Sequence, residues 1–146
     1  MFLEELKVGE ATAFVNLVEK LAMIDKVFAK EEKKLIKEYK AELNLKDEDL
    51  KNMTLDEIEA ALDGASDRIK TIIYFELVGL ALVDGKYDEK EIDFLDEVAE
   101  KLKVARSKKI AIANYFYNFK EICNFSVIDS NSKIDLLKEQ AELLLK

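Results

Sequence analysis

Histidine, proline and tryptophan are absent from this chain of 146 residues, cysteine occurs once and glycine four times. Each absence removes a class of chemistry. Without imidazole there is no Ser-His-Asp or Cys-His catalysis, no histidine general base and no histidine metal ligand. One thiol and no imidazole cannot build the usual Cys/His zinc site within a single chain. The lone Cys123 can form no intramolecular disulfide, which fits a reducing compartment, and it reads as a small buried hydrophobe. With no proline and four glycines, little in the chain breaks helices.

What is present is 49% apolar and 37% charged, a globular composition dominated by Leu, Lys, Glu, Ala and Ile. The expectation is an all-α single domain over residues 1–146. The longest apolar stretch, Ile72 to Val83 with Glu76 inside it, is shorter than the roughly 20 residues that cross a bilayer. No basic region precedes an apolar run at the N-terminus, so a soluble cytoplasmic protein is expected.

Charge is uneven. Residues 1–100 hold 14 basic and 26 acidic groups, a net −12, whereas residues 101–120 hold six basic groups and no acidic one. An acidic body repels nucleic acid and anionic membranes. The expected partners are therefore other proteins, with no nucleic acid, and with membrane association only through a partner. The basic stretch (Lys101, Lys103, Arg106, Lys108, Lys109, Lys120) reads as the solvated end of one helix and the start of the next.

Helical periodicity recurs along the chain. Phe14, Leu17, Val18, Leu21 and Ala22 mark one apolar stripe, and Leu35, Ile36, Tyr39 and Leu43 a second, with a tight connection across 25–29. Thr54 and Glu57 form a capping box with Met53 and Ile58 as a hydrophobic staple. That helix should end at Asp63-Gly64, with Gly64 in the left-handed conformation, and Ser66 should cap the next. The helix over 67–83 is apolar nearly all round and is expected at the centre. Gly79 inside it costs roughly 1 kcal/mol relative to Ala, so a close neighbouring helix is expected there. Asp88 and Glu91 form a second capping box, with Tyr87 and Ile92 as its staple, opening a helix that buries Ile92, Leu95, Val98, Ala99 and Leu102. Two further helices are predicted over 107–120 and 133–145, the second capped by Ser132 after a turn at 129–132. In the first of these, Tyr115, Phe116, Tyr117 and Phe119, with Phe125, read as core.

Sliding the chain by 59 residues aligns 21–45 with 80–104. Leu21/Leu80, Ala22/Ala81, Asp25/Asp84, Glu32/Glu91, Glu38/Glu97 and Leu43/Leu102 are identical, and Met23/Leu82, Tyr39/Val98 and Leu45/Val104 are matched apolar pairs. The fold predicted from this repeat is a bundle of about seven helices, with two pseudo-symmetric helical hairpins around the 67–83 helix. Each hairpin carries an Asp in its turn and a Glu seven residues later.

The segment Leu77-Val78-Gly79-Leu80-Ala81-Leu82-Val83-Asp84-Gly85-Lys86-Tyr87-Asp88-Glu89-Lys90-Glu91 resembles the signature of the tellurite-resistance TerB-like helical domain, a family grouped with the DjlA N-terminal-like domains. Ala22-Met23-Ile24-Asp25 followed by Glu32 resembles the family's first copy, although Lys26 stands in place of Gly and Ala29 in place of the capping acid. Thr54–Gly64 followed by Ser66 is similar to its middle segment. The resemblance covers roughly residues 14–104. It implies a divalent-cation site built from Asp25, Glu32, Asp84, Asp88 and Glu91, and a non-catalytic role in a tellurite or chemical-stress response. Oxygen-only ligands favour Ca²⁺, Mg²⁺ or Mn²⁺. The site is not an EF-hand: counted from Asp84, the ligand, glycine and bidentate-glutamate positions are Lys86, Glu89 and Leu95. A purely structural reading stands beside it, in which Asp88 and Glu91 cap a helix and Asp25 and Asp84 accept backbone N–H groups in their turns. The alternative function is a metal-independent interaction adaptor. No nucleophile–base spacing, phosphate loop or cofactor motif points to an enzyme.

Overall fold

A computed structural model describes residues 3–24, 32–43, 45, 52–82, 89–124 and 130–145; the side chains at 32–33, 35–36, 82, 117, 119–124 and 130–137 are left out of the description. Within these residues the chain is all-helical, with seven α-helices and no strand. They are α1 (Val8–Ile24), α2 (Glu32–Glu42), α3 (Leu55–Leu62), α4 (Asp67–Leu82), α5 (Glu89–Lys101), α6 (Arg106–Asn124) and α7 (Ser130–Leu145), after a short 3-10 turn at Leu3–Glu5.

Two helices sit at the centre, where the sequence pointed to one. α4 packs against α1, α5, α6 and α7, and Ile72, Ile73, Leu77 and Ala81 have no exposure. α1 packs against α2, α3, α4 and α5. Every residue from Ala11 to Val18 is buried, although periodicity marked only a stripe on this helix. The polar members of that run are satisfied locally. The Thr12 hydroxyl donates to the Val8 carbonyl at 2.8 Å. Asn16 Nδ2 donates to the Thr12 carbonyl at 2.9 Å, and its Oδ1 accepts the Met53 N–H at 3.0 Å. A buried amide whose donor and acceptor are both used can occupy a core position. Asn16 thereby ties α1 to the start of α3.

Local signals set several helix ends. Thr54 and Glu57 form the expected capping box in both directions. Ser66 Oγ accepts the Ile69 N–H at 3.2 Å and caps α4. Other ends differ from the sequence reading. Gly64 does not adopt the left-handed conformation; instead Asp63 N–H bonds the Ala60 carbonyl and Ala65 N–H the Leu62 carbonyl, two i→i−3 bonds that tighten the last turn and hand the chain to Ser66. α6 runs four residues past the predicted end, and α7 begins at Ser130, so Ser132 lies inside the helix rather than at its cap.

The left-handed residue is Lys103, at φ 57°. Lys103 N–H bonds the Glu100 carbonyl and Val104 N–H bonds the Ala99 carbonyl, the two bonds of a Schellman ending. The same closure recurs 59 residues earlier. Leu43 N–H to Tyr39 O and Leu45 N–H to Lys40 O match Leu102 N–H to Val98 O and Val104 N–H to Ala99 O. The sequence offset is thus also an offset in how α2 and α5 end. Met23, the last residue but one of α1, is 86% exposed.

Gly79 has the close neighbour that its propensity cost called for. A Cβ on Gly79 would lie 2.9 Å from Phe116 Cζ and 3.0 Å from Cε1. The Phe116 ring is itself held, with its centroid 4.8 Å from Phe75 and 5.0 Å from Tyr115. α6 therefore crosses α4 at a point where any Cβ would press on the Phe116 ring. Tyr115 is buried and Phe116 packs against the core, so these two aromatics are core as expected.

Two stability measurements follow by chemical denaturation. Gly79→Ala gains about 1 kcal/mol of helix propensity. It loses more to overpacking, for a net destabilisation of about 1–2 kcal/mol that Phe116→Leu in the same chain partly restores. Lys103→Gly relieves a left-handed L-residue and raises stability by about 0.5–1 kcal/mol.

Candidate functional site

The acidic residues singled out by the repeat fall at the ends of α1, α2, α4 and α5. α1 ends at Ile24 immediately before Asp25, and α2 begins at Glu32. α4 ends at Leu82, two residues before Asp84, and α5 begins at Glu89. Asp25, Asp84 and Asp88 lie outside the described residues, as does the Glu32 side chain. Of the five, Glu91 is described. Among the described residues no three acidic or thiol side chains gather closely enough to hold a metal ion.

Glu91 occupies the first turn of α5 and is 3% exposed. Its position follows from helical geometry. Residues 91, 94, 95, 98, 99 and 102 form one 3–4 stripe, and Phe94, Leu95, Val98, Ala99 and Leu102 on it are all buried. Ile92 lies about 100° away from Glu91 around the helix. It is 37% exposed, so the expected burial of Ile92 does not occur. A carboxylate takes the stripe position that an apolar residue would ordinarily fill. The equivalent capping glutamate of α3, Glu57, is exposed. Capping alone therefore does not require the depth of Glu91.

Three residues of the basic stretch are engaged within the chain. Lys101 Nζ meets Asp56 at 2.9 Å and Glu59 at 3.4 Å, joining α5 to α3. Its hydrogen bond to Asp56 raises the lysine pKa. Lys109 Nζ meets Asp96 at 2.7 Å, joining α6 to α5. Lys108 Nζ donates to the Leu144 carbonyl near the end of α7. The ion pairs of Lys101 and Lys109 offset part of the local positive charge inside the fold.

An ion-pair node that sequence reading missed joins three distant segments. Arg68 Nε and Nη2 donate to the two oxygens of Glu5 at 2.8 and 2.9 Å, and Nη1 meets Glu142 at 2.8 Å. One guanidinium so links the N-terminal turn, α4 and α7. Its partners lie 63 and 74 positions away in sequence, beyond any local pattern. The hydrogen bond from Arg68 holds the Glu5 carboxyl below the usual carboxylate range. Elsewhere, burial and the Asp96 charge push the Tyr74 phenol up to about 12, and burial with Glu76 nearby raises Tyr39. Neither phenol ionises near neutral pH.

Because the folded Glu5 pKa lies below its ordinary 4.5, the node stabilises fully above that value and fades as pH falls through the lowered one. The side chains are about a third exposed, so the effect is modest. Arg68→Met should lower stability by about 0.5–1 kcal/mol at pH 7. The gap to the wild type should close as denaturation is measured at successively lower pH below 4.5.

Compared with protein-family models, curated proteins and solved structures, the chain matches none.

Proposed function

We propose that the protein is a non-catalytic TerB-like helical module of a tellurite or chemical-stress response, which binds a divalent cation through carboxylates at the ends of its paired helices. The observation that carries this reading is the burial of Glu91 on the stripe of α5. Removing a carboxylate from water is costly, and the compensation has to come from cations or donors around it. Glu91 opens the helix that follows the Asp84-Gly85 segment, where the resemblance places the cation ligands. Glu32 opens α2 at the equivalent position after Asp25. Asp25, Glu32, Asp84, Asp88 and Glu91 would supply oxygen donors alone, a set that fits Ca²⁺, Mg²⁺ or Mn²⁺. The shared helix endings of α2 and α5 support two copies of one hairpin plan.

A second reading, a metal-independent adaptor for other proteins, is favoured by Met23. This large apolar side chain is 86% exposed just before the first acidic turn.

Calorimetric titration with Ca²⁺, Mg²⁺ and Mn²⁺ separates the two. The expected result is saturable heat with at least one ion. It should be lost in Asp84→Ala and Glu91→Gln and kept in Glu57→Gln, with helicity by circular dichroism unchanged. Silence with all three ions would overturn the cation reading in favour of the adaptor.

A further inference from the structure

Two segments far apart in sequence meet at the start of α4. The turn at Leu3–Glu5 packs on α4 and buries Leu3 to 3% exposure. Leu6 N–H closes this turn on the Leu3 carbonyl at 3.1 Å. The end of α7 returns to α4 and buries Ala141 and Leu145. A three-residue turn and a last helical turn have few contacts of their own. Both belong to the parts of a fold that open locally before the whole unfolds.

Arg68 joins them from the first turn of α4. Its Nε and Nη2 grip the two oxygens of Glu5 at 2.8 and 2.9 Å, and its Nη1 meets Glu142 at 2.8 Å. The two-point grip fixes the plane of the guanidinium. An arginine side chain otherwise samples many rotamers, and ordering it opposes each ion pair. Once Glu5 has fixed the plane, Nη1 is already aimed at Glu142. The ordering is met once for two pairs, so forming either favours the other. The guanidinium also offsets the repulsion between the two carboxylates.

The link reaches a cavity that the N-terminal turn does not touch. Glu142 precedes Leu145 by about one helical turn on α7. Leu145 lines a cavity of about 320 Å³ whose walls include Arg68, Thr71, Leu102 and Val104. No described residue of the N-terminal turn lines it. On the α6 side, the Lys108 ammonium bonds the Leu144 carbonyl and holds the same last turn. The last turn of α7 is thus held from two directions, and one hold runs through Arg68 to Glu5.

We propose that Arg68 is a clasp that couples docking of the N-terminal turn to closure of the last turn of α7, so that the turn steadies the Leu145 wall of the cavity from a distance. The inference is independent of the cation reading and shares no residue with it.

The test is hydrogen exchange followed by NMR on the ¹⁵N-labelled full chain, at a pH where both carboxylates are ionised. The reporters are the Leu6 amide for the N-terminal turn and the Ala141 and Leu145 amides for α7. Glu142→Gln is expected to speed exchange at Leu6 by about twofold to threefold, although it leaves every contact of Glu5 in place. Glu5→Gln should speed exchange at Ala141 and Leu145 by a similar factor, because coupling is reciprocal. Arg68→Met should speed exchange at both ends, and in that background Glu142→Gln should leave Leu6 unchanged. Lys109→Met removes the α6–α5 ion pair instead and should leave Leu6 unchanged. The proposal is overturned if Glu142→Gln leaves Leu6 unchanged or Glu5→Gln leaves the end of α7 unchanged, since the two pairs would then be independent pins. It is equally overturned if the cross effect persists without Arg68, or if Lys109→Met speeds Leu6 as much, which would mark a general loss of stability.

Discussion

The bundle depends on enclosing two helices: α4, apolar nearly all round, and α1, buried on every side from Ala11 to Val18. A helix of this kind cannot rest on a single partner, because its remaining faces would stay in water. α1 and α4 pack against each other, and each then needs further helices. α2, α3 and α5 complete the cover of α1, while α5, α6 and α7 complete that of α4. α5 serves both, which explains its long buried stripe from Glu91 to Leu102.

Specific contacts fix how these layers sit. The Gly79–Phe116 approach sets α6 against α4 at a distance where a Cβ would force the Phe116 ring to shift. Asn16 fixes α3 against α1 through one partly buried hydrogen bond from the Met53 N–H. The edge-to-face pair of Phe14 and Tyr39, with centroids 5.4 Å apart, seats α2. On the outside, Arg68, Lys101 and Lys109 bridge neighbouring elements with partly exposed ion pairs. Such pairs contribute little each and act mainly on register. The charge asymmetry of the sequence thus resolves into bridges between an acidic body and a basic turn.

Features decided within a few residues were legible. The Thr54–Glu57 box and the Ser66 cap depend on side chains reaching backbone groups three positions away, so composition and spacing suffice. The α5 stripe was legible too, but reading Ile92 as part of it was an error of one residue. Strict 3–4 spacing puts Glu91 inside, a placement hidden by the expectation that carboxylates face water. The burial of α1 on every side was not legible, because Thr12 and Asn16 are polar by type and become core residues only through bonds made in the fold. Lys103 carries no sequence signal for a left-handed turn. Its conformation is imposed by the two closing bonds of α5 and by Val104 turning back onto the core.

The sequence by itself determined the class and the punctuation of this protein. A chain without proline, rich in helix formers and patterned at 3–4 spacing, folds as an all-α bundle. It also carried the 59-residue offset that reappears in the endings of α2 and α5. Only the tertiary structure decided which helices are central, which carboxylate is buried, where Arg68 finds Glu5 and Glu142, and that Lys103 takes the left-handed conformation. The physical reason is range. Caps and stripes are settled by groups one or two turns apart, whereas burial and ion-pair nodes depend on distant segments meeting, as Asn16 does with Met53, 37 positions on, and Arg68 with Glu142, 74 positions on.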